Sequence, residues 1–280
     1  MKRLSRRELL AASALVPLAL RAGASRIPIG LQLYSVRDEL AKDPDGTLSA
    51  VAKMGYQVVE FYAPYYLWNA ERARQVRRLL DSLGLQCRST HNPKQAFEPE
   101  GLKKAIELNQ ILGSKYIVMA GSDPISTIEG WKALSGRITR MMQVLTPLGL
   151  SSGFHNHEVE WQPINGHRPM DVLAAHTPKQ FMLQLDVGSC VAAGQDSVAW
   201  IKANPGRINS IHCKDWARWF RGYRVLFGDG SAPWSDIIAA AESTGGVEFY
   251  LIEQEGSRYP PLETARRCLE NWRRLRGEAG

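Results

Sequence analysis

The chain has only four cysteines, Cys87, Cys190, Cys213 and Cys268, and no two of them form a CxxC pair. That is too few for a disulfide-held scaffold, so stability has to come from a packed core. Cys87 and Cys213 sit inside strand-like apolar runs and read as small buried groups. No GxGxxG loop follows the first strand-like run, which argues against a doubly wound dinucleotide-binding sheet, the runner-up architecture. No repeat longer than a strand–helix unit is present, and no linker marks a second domain. No apolar run is long enough to cross a bilayer comfortably; the one from Leu9 to Leu20 is short and interrupted.

Positive charge is in excess, but it is concentrated at the start. Residues 1–24 read MKRLSRRELLAASALVPLALRAGA: a basic opening, an apolar stretch, then Ala22 and Ala24 in an A-x-A arrangement. This is the layout of an export signal, and Ser5-Arg6-Arg7-Glu8-Leu9-Leu10 resembles its twin-arginine form. A basic amphipathic helix is the alternative. Cleavage after Ala24 removes Lys2, Arg3, Arg6, Arg7 and Arg21 together with Glu8, lowering the formal charge from +7 by four, to +3. The expectation is a periplasmic or otherwise exported protein with a signal segment, 1–24, one catalytic domain, 25–280, and no stable membrane anchor. A nucleic-acid partner loses support, because the remaining Lys and Arg lie mostly on helical faces such as 71–78.

What the chain does have is a series of short apolar runs that end in residues able to bind a metal or move a proton. They lead to Glu60, to His91, to His155 and His157, to Asp186, to His212, and to Glu253 and Glu255. Strand-like runs occur at 28–34, 57–61, 85–91, 115–120, 149–157, 181–187, 208–213 and 248–254. Amphipathic stretches with apolar residues three and four apart separate them, as in Val76, Leu79, Leu80 and Leu83. Gly55, Gly84, Gly113, Gly149 and Gly245 close several of these stretches, as left-handed caps do. Eight strands alternating with eight helices over roughly 250 residues is the count of a (β/α)8 TIM barrel, an α/β fold of one domain. The least regular segment, 216–231, follows the seventh strand and is rich in aromatics. It reads as a lid or substrate wall, with a contact in a homo-oligomer as the alternative.

In such a barrel the carboxyl ends of the strands share one mouth, so residues far apart in sequence converge there. A divalent cation in an enzyme takes about four nitrogen and oxygen ligands and leaves a position open. Asp186, His212 and Glu253 come from the last three strands, with Glu255 a possible substitute for Glu253. Strand five offers His155 or His157, with Asn156 between them.

The ordered motifs GFHNHEVEW at 153–161, LQLDVGS at 183–189, RINSIHCKDW at 207–216, FGDG at 227–230 and FYLIEQE at 249–255 resemble those of the sugar phosphate isomerase/epimerase family. These are xylose isomerase-like TIM barrels, related also to endonuclease IV, and the resemblance covers most of 28–275. It implies a divalent metal, often manganese, with magnesium, cobalt or zinc as alternatives, and it implies Asp186, His212 and Glu253 as ligands. Where family members often carry Glu-Asn-His on strand five, this chain has His155-Asn156-His157. A carboxylate of the facing acid/base pair used by 1,1-proton-transfer epimerases is thereby replaced with an imidazole. By resemblance, exported barrels with this HNH triplet act as lyases or hydratases on keto-sugars.

Proton removal next to a carbonyl builds negative charge on oxygen, which a cation and a nearby Lys stabilise. Lys214, two residues beyond His212, suits that role, with a salt bridge to Asp215 or Asp186 as the bland reading. Glu60, His91 and His157, joined by Lys214, are candidates for substrate binding; Glu253, His155 and Lys214 are candidates for catalysis. Trp68, Trp216, Trp219 and Phe227 are aromatics that could stack on a sugar ring, or simply pack. The substrate expected is a small sugar or keto-sugar. A phosphodiesterase like endonuclease IV, whose cluster of about three zinc ions needs more ligands, and a non-catalytic sugar-binding protein are the competing readings.

Overall fold

A computed structural model describes residues 27–219 and 222–278; the signal segment expected at 1–24 lies outside the described residues. Eight parallel strands close into a barrel in chain order. They are β1 (Ile29–Gln32), β2 (Val58–Phe61), β3 (Gln86–Asn92), β4 (Tyr116–Met119), β5 (Ser151–His155), β6 (Met182–Asp186), β7 (Ser210–Cys213) and β8 (Phe249–Ile252). The ring is completed by β1 pairing with β8, Gly30 opposite Leu251. Nearly every strand residue is buried, because helices cover the outside and side chains fill the inside. Among the described residues no helix is long and apolar enough to cross a membrane.

The alternation of each strand sorts its side chains into two cores. Val59, Phe61, Ile117, Leu183, Leu185, Ile211 and Ile252 join the large cluster beneath the helices. Val58, Tyr116, Val118, Met182, Phe249 and Leu251 form a separate cluster in the barrel interior. Two inward positions must be glycine for that interior to close. A Cβ on Gly30 would stand 2.5 Å from the Val58 carbonyl oxygen, and one on Gly153 would stand 2.9 Å from Met182. Nearer the carboxyl ends the same inward positions turn polar, with Gln32, Glu60, Ser89, His91, Gln184, Asp186 and His212 all buried. The floor is thus apolar and the mouth ionisable.

The outer ring includes α1 (Arg37–Lys42), α2 (Pro44–Met54), α3 (Ala70–Leu83), α4 (Pro99–Leu112), α5 (Ile128–Leu145), α6 (Pro169–His176), α7 (Val187–Ala192), α8 (Ser197–Ala203), α9 (Trp234–Ala240) and α10 (Pro261–Leu275). Gly55, Gly84, Gly113 and Gly149 do end helical segments with positive φ. The cap expected at Gly245 lies one residue on, at Gly246 (φ 77°), because the end of α9 widens by an extra residue before stopping. The four cysteines are buried and unbridged.

Candidate active site at the barrel mouth

The last residue of β5, His155, is 2% exposed, and its Nδ1 is buried without a hydrogen-bond partner. Its ring lies 4.4 Å from that of His212 and 4.7 Å from that of His91, centroid to centroid. Burial, then the neighbouring imidazoles, hold its pKa well below the ordinary histidine value, so it is neutral. Asp186, the last residue of β6, starts α7 by accepting Ser189 N–H on Oδ1 at 2.6 Å, while Oδ2 is buried and unpartnered. Burial raises its pKa to about 6 against the pull of Lys214. Asn156 clamps the same corner, accepting Asp186 N–H at 2.9 Å and donating to the Asp186 carbonyl at 3.2 Å.

His212 on β7 lies between two carboxylates. Nδ1 is 2.8 Å from Glu253 Oε2 and Nε2 is 2.9 Å from Glu60 Oε2. Burial lowers its pKa, but Glu253 and Glu60 outweigh that and push it up to about 10. For Glu253, burial alone would favour the neutral acid; Lys214 and His212 together reverse this and hold it well below the usual carboxylate range. One potential ligand atom from each of His155, Asp186, His212 and Glu253 lies within 4.8 Å of the others, and His91, His155 and His212 form an overlapping group. Two imidazoles and two carboxylates, with His155 Nδ1 and Asp186 Oδ2 unpartnered, fit a divalent cation. Of the pairs that the sequence left open, His155 and Glu253 stand in this group. His157 is exposed, its main-chain N–H donating to Glu160 at 2.7 Å, and Glu255 pairs with Lys214.

Several residues stand elsewhere than the sequence suggested. Glu60 does not face the open pocket. It is fully buried, and both carboxylate oxygens are engaged, Oε2 by Gln32 Nε2 at 2.6 Å, His212 Nε2 and His91 Nε2 at 3.1 Å, and Oε1 by Gln184 Nε2 at 3.0 Å and Ser89 Oγ. His91 is turned into the same network through a 2.7 Å contact to Gln184 and stacks flat on His212 at 5.0 Å. Both therefore support the cluster from below. Lys214 is 6% exposed; its salt bridge is to Glu255 rather than Asp215 or Asp186, and its ammonium lies 4.9 Å from the centre of the Tyr223 ring. Glu253, Asp186 and Glu255 overcome the effect of burial and keep it protonated. Phe227 does not line the mouth: it is wholly buried against Trp234 and Trp272. Trp68 packs edge-on against Phe61 and Tyr65, whereas Trp219 is 74% exposed.

Sequence reasoning missed Gln32, Ser89 and Gln184, although a polar residue at an inward position of an apolar strand was the available signal. It also missed Asp215. That buried carboxylate accepts N–H from Trp216, Gly228 and Gly230 at 2.8–3.1 Å, from Ala232 at 3.3 Å, and from the Trp234 indole at 2.8 Å. It folds the long segment after β7 into place. The FGDG glycines are part of this fit, since a Cβ on Gly230 would overlap Asp215.

A family profile described as a xylose isomerase-like TIM barrel matches residues 48–275. The rhizopine catabolism protein MocC of Rhizobium meliloti is 23% identical over 271 residues, covering 83% of this chain and 82% of its own. Among solved structures, a sugar phosphate isomerase/epimerase from Parabacteroides distasonis aligns with a TM-score of 0.75 at 23% identity, over 91% of this chain and 96% of that one. The IOLI protein, solved with a zinc atom, aligns with a TM-score of 0.67 at 15% identity, over 89% and 97%.

Proposed function

Because the chain belongs to the xylose isomerase-like TIM-barrel family, we propose that it is a divalent-metal-dependent enzyme acting on a sugar or keto-sugar by removing a proton next to a carbonyl. The observation that carries this reading is the convergence of His155, Asp186, His212 and Glu253, their ligand atoms within 4.8 Å of one another in a buried mouth. Bound there, a divalent cation supplies polarisation of the substrate carbonyl and neutralises charge on its oxygen. His212 holds Nδ1 toward the cluster, while its Nε2 is fixed by Glu60, the carboxylate–histidine arrangement that orients metal-binding imidazoles. Manganese follows from the family resemblance; a set that is half imidazole suits zinc or cobalt as well.

Lys214, kept protonated, cannot act as a base; it contributes positive charge toward the oxygen of the developing enolate. Glu253, kept ionised, accepts the proton from carbon in this reading. His155, kept neutral by burial, is the second group able to move one. One observation favours a second reading, keto-glycoside elimination or hydration. With His155 where a carboxylate would complete the facing acid/base pair of an epimerase, return of a proton to the opposite face of the carbon loses its usual donor, which suits loss of a leaving group better than epimerisation. We also propose export through residues 1–24, checked by mass spectrometry for cleavage after Ala24 in secreted material.

Elemental analysis of purified protein, followed by incubation with ketoses and 3-keto-glycosides in deuterated water, tests the proposal. Deuterium next to the carbonyl supports proton abstraction. A new epimer then selects epimerisation, and a released aglycone selects elimination. Protein that binds no divalent ion and catalyses no exchange rejects it.

A further inference from the structure

Between the loops that follow β7 and β8 lies a cavity of about 270 Å³, with Arg224 and Asp229 on one side and Ser257, Arg258 and Tyr259 on the other. Its loops are tied to the cluster through Tyr223, the chain neighbour of Arg224, and Gln254, the chain neighbour of Glu253. The Tyr223 ring lies beside the Lys214 ammonium, its carbonyl accepts Gln254 Nε2 at 2.6 Å, and Gln254 directly follows Glu253.

The cavity carries uncommitted positive charge. Arg224 makes no hydrogen bond or ion pair among the described residues, and Arg258 touches only the Tyr259 ring, at 4.8 Å. The nearby acids are engaged: Asp229 accepts from Asn271 at 3.2 Å and pairs with Arg274 at 3.8 Å, and Glu255 pairs with Lys214. The main-chain N–H groups of Ser257 and Arg258, which line the cavity, and of Gly256 just before them have no acceptor among the described residues. Gly256 sits at φ 133°, a backbone setting that side chains disfavour. Ser257 Oγ meanwhile ties this loop to Thr264 at 2.6 Å and accepts Tyr259 N–H at 3.0 Å.

Two exposed arginines lining one cavity, with the free amides of Ser257 and Arg258 in the same lining, suit a carboxylate or phosphate, whose oxygens take forked N–H donors. The loops after strands seven and eight are also where barrels of this architecture recurrently seat phosphate. We propose that this cavity is a subsite for an anionic group, carboxylate or phosphate, carried by the substrate at the end remote from its reacting carbonyl. The assignment rests on reading the neighbouring cluster as the reaction centre.

Two matched pairs of probes test it on the metal-loaded full chain by calorimetric titration: D-fructose against D-fructose 6-phosphate, and D-glucose against D-glucuronate, with inorganic phosphate as a separate titrant. In wild type the charged member of at least one pair binds about tenfold more tightly than its neutral partner. That advantage disappears in the Arg224→Ala/Arg258→Ala double variant and survives in Arg78→Ala, a change of an exposed arginine on α3. Unaltered thermal midpoints show that the variants are folded. Equal affinities within both pairs, no saturable binding of any sugar, or an advantage that persists in the double variant overturns the proposal. So does binding of inorganic phosphate without any gain for the sugar esters, which marks a site for the free anion. Metal content is measured on the same samples. Metal-free protein sinks the reading of the cluster, and absence of a charge advantage in metal-loaded wild type sinks only the subsite.

Discussion

Single residues at the mouth owe their charge states to partners from other strands. Glu60 shows this most clearly, since four donors from β1, β3, β6 and β7 converge on its two oxygens, with His91 Nε2 3.1 Å from one of them. Glu60→Gln keeps the volume but replaces one acceptor oxygen with an NH2 that faces donors, so His212 loses its carboxylate support. Metal affinity should fall about 10- to 100-fold, read by titration of the apo-protein. Glu60→Ala strips partners from the same buried groups and should cost about 3–5 kcal/mol in urea denaturation. An unchanged metal affinity in Glu60→Gln would show that the carboxylate does not act through His212. The cysteines make a second case. Burial raises Cys87, Cys190 and Cys268 to about 12. A thiol reagent at neutral pH should therefore find no reactive cysteine in the native protein and all four after denaturation. The linkage has a definite sign. Thiols ionise near pH 8.5 in the unfolded chain but not in the folded one, so their contribution is complete below about pH 8.5. It is lost as pH rises from there toward about 12, and denaturation midpoints should fall over that range.

Secondary-structure elements were legible where local pattern dictates them. Parallel strands covered on both faces read as continuous apolar runs, and all eight runs correspond to strands. Five of the runs extend past the upper ends of their strands, whereas those for β2 and β7 end with the strand and that for β3 stops one residue short. The run to His157 stops at His155 because the chain turns there into a short capped helix, and the run to Gln254 stops pairing at Ile252. Ladder ends depend on the neighbouring strand, which no local pattern reports. The segment after β7 reads in the sequence as a lid, a substrate wall or an oligomer contact, but its organiser, Asp215, is not legible there because four of its partners lie 13 to 19 residues further on. Asp215→Ala leaves those four downstream N–H donors unpaired, and the Trp234 indole is buried. Hydrogen exchange should accelerate at Gly228, Gly230 and Ala232, trypsin should cut within the loop, and stability should fall by about 1–3 kcal/mol. Retained protection at those three amides would mean that the loop is held by its apolar contacts, chiefly Phe227 between Trp234 and Trp272.

For the molecule as a whole, the candidate ligands come from the carboxyl ends of β5, β6 and β7 and from the residue just past β8, half of the closed ring. Their convergence is readable from histidines and carboxylates at strand ends, as are Glu60 and His91, while the Gln32, Ser89 and Gln184 side chains that bind Glu60 are marked only by being polar at inward strand positions. This distribution gives metal binding a global consequence. Residues 155 to 253 are brought together only by the finished barrel, so an ion held by all four binds the folded state and scarcely the unfolded one. At a free metal concentration of about 100 times Kd the folded state gains roughly 2.7 kcal/mol. For a domain of this size that corresponds to a rise of roughly 5–10 °C in the thermal midpoint. Zinc, manganese or cobalt should therefore raise the midpoint of chelator-treated protein by that amount, and excess chelator should reverse it. The double variant His155→Ala/Asp186→Ala removes the two unpartnered donors while leaving the His212–Glu253–Glu60 contacts in place, so it should fold and show no metal-dependent shift. A midpoint indifferent to every divalent ion in wild type, or a shift of equal size in the double variant, would mean that the four side chains do not hold a cation between them.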